Sequence, residues 1–289
     1  MEVFFKGKFN KKHFEKALNL ISGLIPQLPK NLQLYFIDNL DSCPTVPNLP
    51  KYQKIILNKF CSKDKISFSY SYDDINVILI WVTPEKKFLK TNVKAAAGFI
   101  AHEMMHTILR HKGLDKQLVD EYLRSYEKQY SLLSQLSYSK SKLQPIFDEI
   151  GSEAVMTLKE LYANVELLRA GYGDYLLEYY FHKVGTEAYC PMPLFYKGRL
   201  GDAELIQIKK AILFQLSLMP AEIPFQKYNH PKAEKLIKHL EKCYERNIED
   251  ITKEFHDVIR FVIDEFEPSK EFHIKFFKRI FINAYSILI

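Results

Sequence analysis

Two histidines one helical turn apart flank a glutamate in the segment H-E-M-M-H, residues 102–106. On a helix, His102 and His106 lie on one face, so both imidazoles can reach a single metal ion. Glu103 lies about 100° round the helix from His102, where it can touch a water on the metal without being a ligand. Zinc lowers the pKa of such a water toward about 7, and a neighbouring carboxylate can then take its proton. The segment predicts a zinc site with Glu103 as general base; the alternative is two surface histidines flanking a glutamate.

A third protein ligand is needed, because catalytic zinc usually takes three side chains and one water. His111 lies about 140° round the helix from the second histidine and should not share the metal. The helical segment 143–170 carries a polar stripe beside its apolar stripe, formed by Glu153, Thr157, Glu160 and Asn164. Such a stripe is either a solvated face or a face turned toward the metal. The residues alone leave Glu160 and Glu153 open as third ligand, and Asn164 can orient a ligand histidine through a hydrogen bond.

Three segments together resemble a known family. The stretch F-I-A-H-E-M-M-H-T-I-L-R-H is similar to the active-site helix of the gluzincin metallopeptidases that include the heat-shock membrane protease and the CaaX prenyl protease. That family has a downstream E-x-E-A-D, which residues 160–164 (E-L-Y-A-N) resemble, and a late H-P-P-x-x-x-R-I-x-x-L, which residues 230–240 resemble. The resemblance runs from about Ile75 to Leu240. It implies a zincin-like fold, one Zn²⁺ per chain and Glu160 as the third ligand.

The resemblance also implies a role for His230, whose counterpart lies near the metal and would stabilise the oxyanion formed during hydrolysis. The alternative makes His230 a loop residue before a helix that begins with Pro231. Tyr189 and Tyr196 are further candidates for the same role. The sequence departs from the family at Asn164, which replaces an aspartate, and at Lys232 and Leu236, which replace a proline and an arginine.

The elements around these residues predict an α+β fold. Strands are expected at 32–37, 66–72 and 75–82, the last two as a hairpin, after a helix at 9–25. A helix from Val93 to Lys112, with Thr91 as N-cap and Gly113 just beyond its end, carries the H-E-M-M-H segment. Further helices are expected at 52–60, 114–136, 143–170 and 174–182, then four more separated near 219–229, Asn247 and Pro268. The chain thus divides into an N-terminal α/β part, residues 1–90, and a helical catalytic body, residues 91–289, which we expect to pack as one metallopeptidase unit.

Composition narrows the function classes. The 289 residues carry 41 Lys and Arg against 35 Asp and Glu, and the net charge of +6 is dispersed, which argues against a nucleic-acid partner. The four cysteines lie far apart, which excludes a cysteine zinc site and indicates no disulfide framework. The longest apolar run, residues 75–82, is too short for a membrane span, and the first residues lack an apolar leader. We therefore expect a soluble, cytoplasmic protein, unlike the membrane-spanning members of the family.

Two surfaces have alternative interpretations. The basic and aromatic C-terminus, residues 271–289, would form either a helix lying on a membrane surface or a helix packed on the body. The strand at 75–82 would be either a sheet edge on which an extended peptide lies or a buried central strand. The function predicted from the sequence is a zinc metalloendopeptidase that acts on peptide or protein substrates. The alternative is a catalytically inactive zincin-fold protein that serves as a structural or interaction module.

Overall fold

The computed structural model describes residues 1–38, 67–72, 75–82, 87–133, 140–183, 202–245, 249–267 and 269–288. The strands are β1 (Glu2–Lys6), β2 (Leu32–Ile37), β3 (Ser67–Tyr72) and β4 (Ile75–Trp81). The helices are α1 (Lys11–Leu20), α2 (Phe88–Thr91), α3 (Val93–His111), α4 (Leu114–Leu133), α5 (Lys140–Arg169), α6 (Gly173–Lys183), α7 (Asp202–Lys227), α8 (Glu234–Glu245), α9 (Glu249–Glu265) and α10 (Lys270–Leu288), and a 3-10 helix, Ser22–Gln27, follows α1. The predicted α+β class is confirmed, and its zincin-like character stays a prediction. The helix predicted at 52–60 lies outside the described residues.

The sheet has four strands in the order β1-β2-β4-β3. β1, β2 and β4 run parallel, whereas β3 pairs antiparallel with β4 and places Tyr72 opposite Ile75. The predicted hairpin is therefore confirmed, while β1 was not foreseen. β4 lies between two strands and is buried over Val77 to Ile80, so the hypothesis that it forms the sheet edge is wrong. The edge on that side, among the described strands, is β3.

The chain divides into two compact units. Unit 1 comprises residues 1–112 and 169–182, and unit 2 comprises residues 113–168 and 183–289. These limits differ from the expected parts 1–90 and 91–289, because α3 packs with α1 and contacts β3 and β4. The predicted division into a sheet part and a catalytic body stays a prediction about domains.

In unit 1 the helices cover one face of the sheet. Phe36 of β2 stacks on Phe5 of β1, with ring centroids 5.2 Å apart, and meets Phe14 of α1 at 4.5 Å. Gly98 lies where α3 meets α6: a Cβ there would lie 2.0 Å from the carbonyl oxygen of Tyr175. Glycine at residue 98, four residues before His102, thus permits the close approach of α3 and α6.

The N-cap of α3 differs from the predicted residue, whereas Gly113 follows the end of the helix as predicted. Asn92, rather than Thr91, is the N-cap, because its side chain accepts a hydrogen bond of 3.0 Å from the backbone N–H of Ala95. Gly113 follows the helix with φ +86°, the left-handed conformation that suits glycine after a helix end.

Unit 2 contains the C-terminal helix. One face of α10 is buried, and it is formed by Phe272, His273, Phe276, Phe277, Ile280, Phe281 and Ala284. α10 packs on α4, α7 and α9, so its apolar face belongs to the core of unit 2. This agrees with the hypothesis that the C-terminus forms a helix packed on the body. Cys243 on α8 is buried and disulfide-bonded, which the wide spacing of the cysteines did not indicate. None of the described helices is both long and apolar enough to cross a membrane.

α7 runs unbroken to Lys227, so its separation from α8 lies at 228–233 and overlaps only the end of the predicted range 219–229. Pro220 and Pro224 lie inside it and lack the N–H groups that would bind the carbonyl oxygens of Leu216 and Pro220. Two side chains of α5 replace them: Thr157 Oγ1 donates to Leu216 O at 3.1 Å, and Asn164 Nδ2 donates to Pro220 O at 2.8 Å. Leaving either buried carbonyl unpaired would cost about 1–3 kcal/mol. The helix ends later than predicted because α5 supplies the missing donors.

A chain of buried polar groups joins three helices of unit 2. His273 of α10 binds the Glu121 carboxylate of α4 through Nδ1 and the Tyr162 hydroxyl of α5 through Nε2. In neutral His273 the Nδ1–H donates to Glu121 and Nε2 accepts the Tyr162 proton, so Glu267 O, 3.2 Å from that hydroxyl, competes for the same proton. The side chains of His273, Glu121 and Tyr162 are at most 4% exposed. Burial lowers the pKa of His273 from its usual 6.5, an effect that Glu121 partly opposes, and burial raises the pKa of Tyr162.

The lowered pKa of His273 predicts a pH-dependent stability. Between the folded pKa and 6.5, the unfolded chain binds a proton that folded His273 does not, so the free energy of unfolding falls as pH decreases below about 6.5. Urea unfolding followed by circular dichroism between about pH 5.5 and 7.5 measures this slope. His273→Gln should flatten it, whereas His256→Gln, at an exposed histidine of α9, should retain it. Equal slopes in wild type and His273→Gln would contradict the assignment.

Candidate metal centre

α3 presents its two histidines to one point. His102 Nε2 and His106 Nε2 are 3.0 Å apart, and the two rings meet edge to face at 89°. His102 is 2% exposed, whereas His106 is partly exposed. Which of the two nitrogens carries a proton depends on the tautomer of each ring. Both nitrogens are thus aimed at a common position, as the i, i+4 spacing predicted, and the hypothesis of two surface histidines is wrong for His102.

Glu160 belongs to the same group. One ligand atom from each of His102, His106 and Glu160 lies within 4.8 Å of the others, and Glu160, like His106, is partly exposed. Among the described residues, this group of potential metal ligands includes Glu160 and does not include Glu153. The three residues could hold a metal ion, and the third ligand that the family resemblance implied is the one that the structure places with the histidines.

The donor set fits zinc. Two imidazole nitrogens and one carboxylate oxygen form a ligand set found in catalytic zinc sites, which keep the fourth position for water or substrate. Ligands about 2.0–2.1 Å from a tetrahedral zinc ion lie about 3.3 Å apart. The 3.0 Å separation of the histidine nitrogens is close to that value, so the pair needs little movement to bind zinc.

The Glu103 carboxylate is held by the edge strand. Ser67 of β3 donates a hydrogen bond of 2.7 Å to Glu103 Oε1, and Glu103 is 9% exposed. One helical turn after His106, Arg110 donates to Ser69 Oγ, also at 2.7 Å. Both serines lie on one face of β3, so the strand is tied to α3 at two points. Ser67 was not among the residues predicted from the sequence, although the alternation in I-S-F-S-Y-S-Y, residues 66–72, places these serines on one face.

Asn164 is fully buried, and its amide orientation is set within unit 2. Its Nδ2 must be the atom that donates to Pro220 O, because a carbonyl oxygen only accepts hydrogen bonds. The amide oxygen is therefore the group suited to accept an N–H from a ligand histidine. That orienting role stays a prediction, while the donation to α7 is a second role that the sequence did not indicate.

His230 lies in the turn between α7 and α8. Its N–H donates to Phe225 O at 3.0 Å, and its carbonyl oxygen accepts from Ala233 N at 3.0 Å. The alternative interpretation required Pro231 to be the first residue of α8. This helix begins at Glu234 instead. His230 also lines an open cleft of about 430 Å³. Its action on an oxyanion stays a prediction, and Tyr189 and Tyr196 lie outside the described residues.

The chain matches no protein-family model, no curated protein and no solved structure. Its function is therefore argued from the donor atoms of this site and from the groups that hold them. The relation to gluzincins rests on the three sequence segments alone.

The grouping of ligand atoms predicts one metal ion per chain. Glu160→Ala should reduce zinc affinity by at least a hundredfold, since loss of a ligand should exceed the 10- to 100-fold effect typical of residues behind the ligands. Glu153→Ala, two helical turns earlier on α5, is the matched control and should bind zinc as wild type does. Competition with a chromophoric chelator measures both. If Glu153→Ala were the damaging change, the assignment of Glu160 would be wrong.

Proposed function

We propose that this chain is a zinc-dependent metallopeptidase that hydrolyses peptide bonds, with Glu103 as general base. The observation that carries the proposal is the geometry of α3, which aims two Nε2 atoms at one position, 3.0 Å apart, and has a carboxylate on the residue after the first histidine. Glu160 supplies the third donor. A zinc ion held there would polarise the scissile carbonyl and lower the pKa of a water to about 7.

Glu103 has the position and the surroundings of a general base. It is largely buried, and Ser67 fixes one carboxylate oxygen while the other can meet the attacking water. A fixed carboxylate in a water-poor site accepts a proton without the reorganisation that bulk water would require. Ser67 therefore serves as a positioning residue for Glu103.

The edge strand β3 supports a peptide as the substrate. Its inner side pairs with β4, and none of the other described strands pairs with its outer side. An extended peptide added there would bond through its main chain and would lie on the strand that contacts Glu103 through Ser67. Such pairing depends little on the sequence of the substrate.

The similarity of residues 102–106, 160–164 and 230–240 to gluzincin motifs, in the family's order, also supports the proposal. In this mechanism His230 would donate an N–H to the carbonyl oxygen of the substrate as negative charge develops on it. His230 lines an open cleft formed by α7, α8 and the turn between them. None of the described helices is long and apolar enough to correspond to the membrane spans of that family's members.

Substitution of Glu103 tests the proposal. Glu103→Gln should bind zinc as wild type does and should lose roughly three orders of magnitude in turnover of a peptide library, because it removes the proton acceptor. Glu127→Gln, at an exposed glutamate of α4, is the matched control and should keep full activity. Near-normal turnover in Glu103→Gln would exclude this mechanism. Zinc binding without cleavage of any peptide in wild type would instead favour the inactive structural or interaction module.

The same assay separates the two hypotheses for His230. If His230 stabilises the oxyanion, His230→Ala should lower kcat roughly a hundredfold with little change in KM and with unchanged zinc content. If His230 only shapes the turn, the variant should lose stability and keep its kcat. Pro231→Ala is the control, since it perturbs the same turn while keeping the imidazole.

A further inference from the structure

We propose that Thr157 and Asn164 are positioning residues for the metal ligand Glu160, and that they act by binding the two carbonyl oxygens that prolines leave unpaired in α7. This inference rests on the proposed metal site and assigns to two α5 side chains a role outside the ligand set. It also explains why the polar stripe on α5 is neither a solvated face nor wholly a metal-binding face.

The spacing places the ligand between two anchors. Glu160 follows Thr157 by three residues and precedes Asn164 by four, so all three side chains project from one face of α5. The outer two are bonded to α7, at 3.1 Å and 2.8 Å. A rotation of α5 by one residue, about 100°, would move Glu160 to another direction and would break both bonds. The two anchors thus fix the rotation and the height at which Glu160 is presented.

The acceptors of these bonds have few other donors available. Thr157, Asn164 and Leu216 are at most 1% exposed, and Pro220 is buried, so bulk water does not reach the two carbonyls. Pro220 and Pro224 remove the backbone donors that a regular helix would supply at these positions. A buried carbonyl must be paired, and the α5 side chains therefore cannot leave α7 without a penalty.

The chemistry of the acceptors also accounts for a departure from the gluzincin pattern. A carbonyl oxygen needs a donor, and the Asn164 amide provides one at the position where that family has aspartate. An ionised aspartate only accepts hydrogen bonds and would direct negative charge at Pro220 O. Pro224 has no N–H to bind Pro220 O, and the amide of Asn164 supplies the donor that this carbonyl needs.

Two nearly isosteric substitutions remove one donor each. Thr157→Val replaces the hydroxyl by a methyl group, and Asn164→Asp replaces the amide by a carboxylate. Each should reduce zinc affinity roughly 10- to 100-fold, measured by chelator competition, although all three ligands remain. Ser217→Ala is the control: its hydroxyl donates to Phe214 O within α7, so its loss should leave zinc affinity unchanged. Wild-type affinity in both Thr157→Val and Asn164→Asp would overturn the proposal.

A double variant separates positioning from general stabilisation. Pro220→Ala returns an N–H that can bind Leu216 O, so Thr157→Val/Pro220→Ala should regain the unfolding midpoint that Thr157→Val loses. Its zinc affinity should stay low, because residue 157 of α5 still lacks its bond to α7. Recovery of affinity together with stability would overturn the proposal and leave a purely structural role. Absence of zinc binding in wild type would overturn both this inference and the metal site, whereas zinc binding without peptide cleavage would overturn the proposed peptidase activity alone.

Discussion

A buried carbonyl oxygen that has lost its backbone donor must find another, and the arrangement of unit 2 depends on how two such oxygens are paired. Pro220 and Pro224 would each be expected to end or kink a helix, yet α7 continues through both. It does so because Thr157 and Asn164 donate to the oxygens concerned. The prolines thus make α5 the obligatory neighbour of α7 and select the face that α5 turns toward it. Glu160 lies on that face.

The same rule governs the helix that carries the histidines. α3 is buried around nearly its whole circumference, from Ala95 to Leu109, so polar side chains on it need partners. Glu103 has Ser67, and Thr107 donates to Glu103 O within the helix. His102 is 2% exposed and shares a hydrogen bond with His106. A pair of imidazoles and a carboxylate in a buried helix are costly for stability alone, and the proposed metal ion would give them a function.

The sequence predicted the parts of the molecule that depend on local spacing. The strands β2, β3 and β4, the hairpin and the single turn between His102 and His106 all follow from periodicity within a few residues. Periodicity could not separate Glu160 from Glu153, because both lie on the same stripe; the neighbouring Ala163 and Asn164 favoured Glu160 slightly, and the resemblance to gluzincins favoured it further. The edge position of β3 was missed because strand order depends on pairing with β2, which is remote in the sequence.

The separation after α7 was predicted too early for a different reason. Proline is a reliable local signal for a helix end, and the donors that overrule it here lie about sixty residues earlier in the chain, on α5. No local pattern around Pro220 reveals them. For the same reason, Thr157 and Asn164 were interpreted as part of a solvated or metal-binding stripe. Their acceptors are backbone carbonyls of α7, which a sequence pattern cannot identify. Side chain to backbone bonds between distant helices are therefore the feature least accessible to sequence reasoning in this protein.

The central claim is that α3 and α5 together bind one zinc ion, and anomalous diffraction tests it most directly. Crystals grown with zinc, measured on both sides of the zinc absorption edge, should show one anomalous peak per chain. The account predicts that peak about 2.0–2.2 Å from His102 Nε2, His106 Nε2 and a carboxylate oxygen of Glu160. A peak on other residues, or no peak at this site in zinc-saturated crystals, would contradict the account.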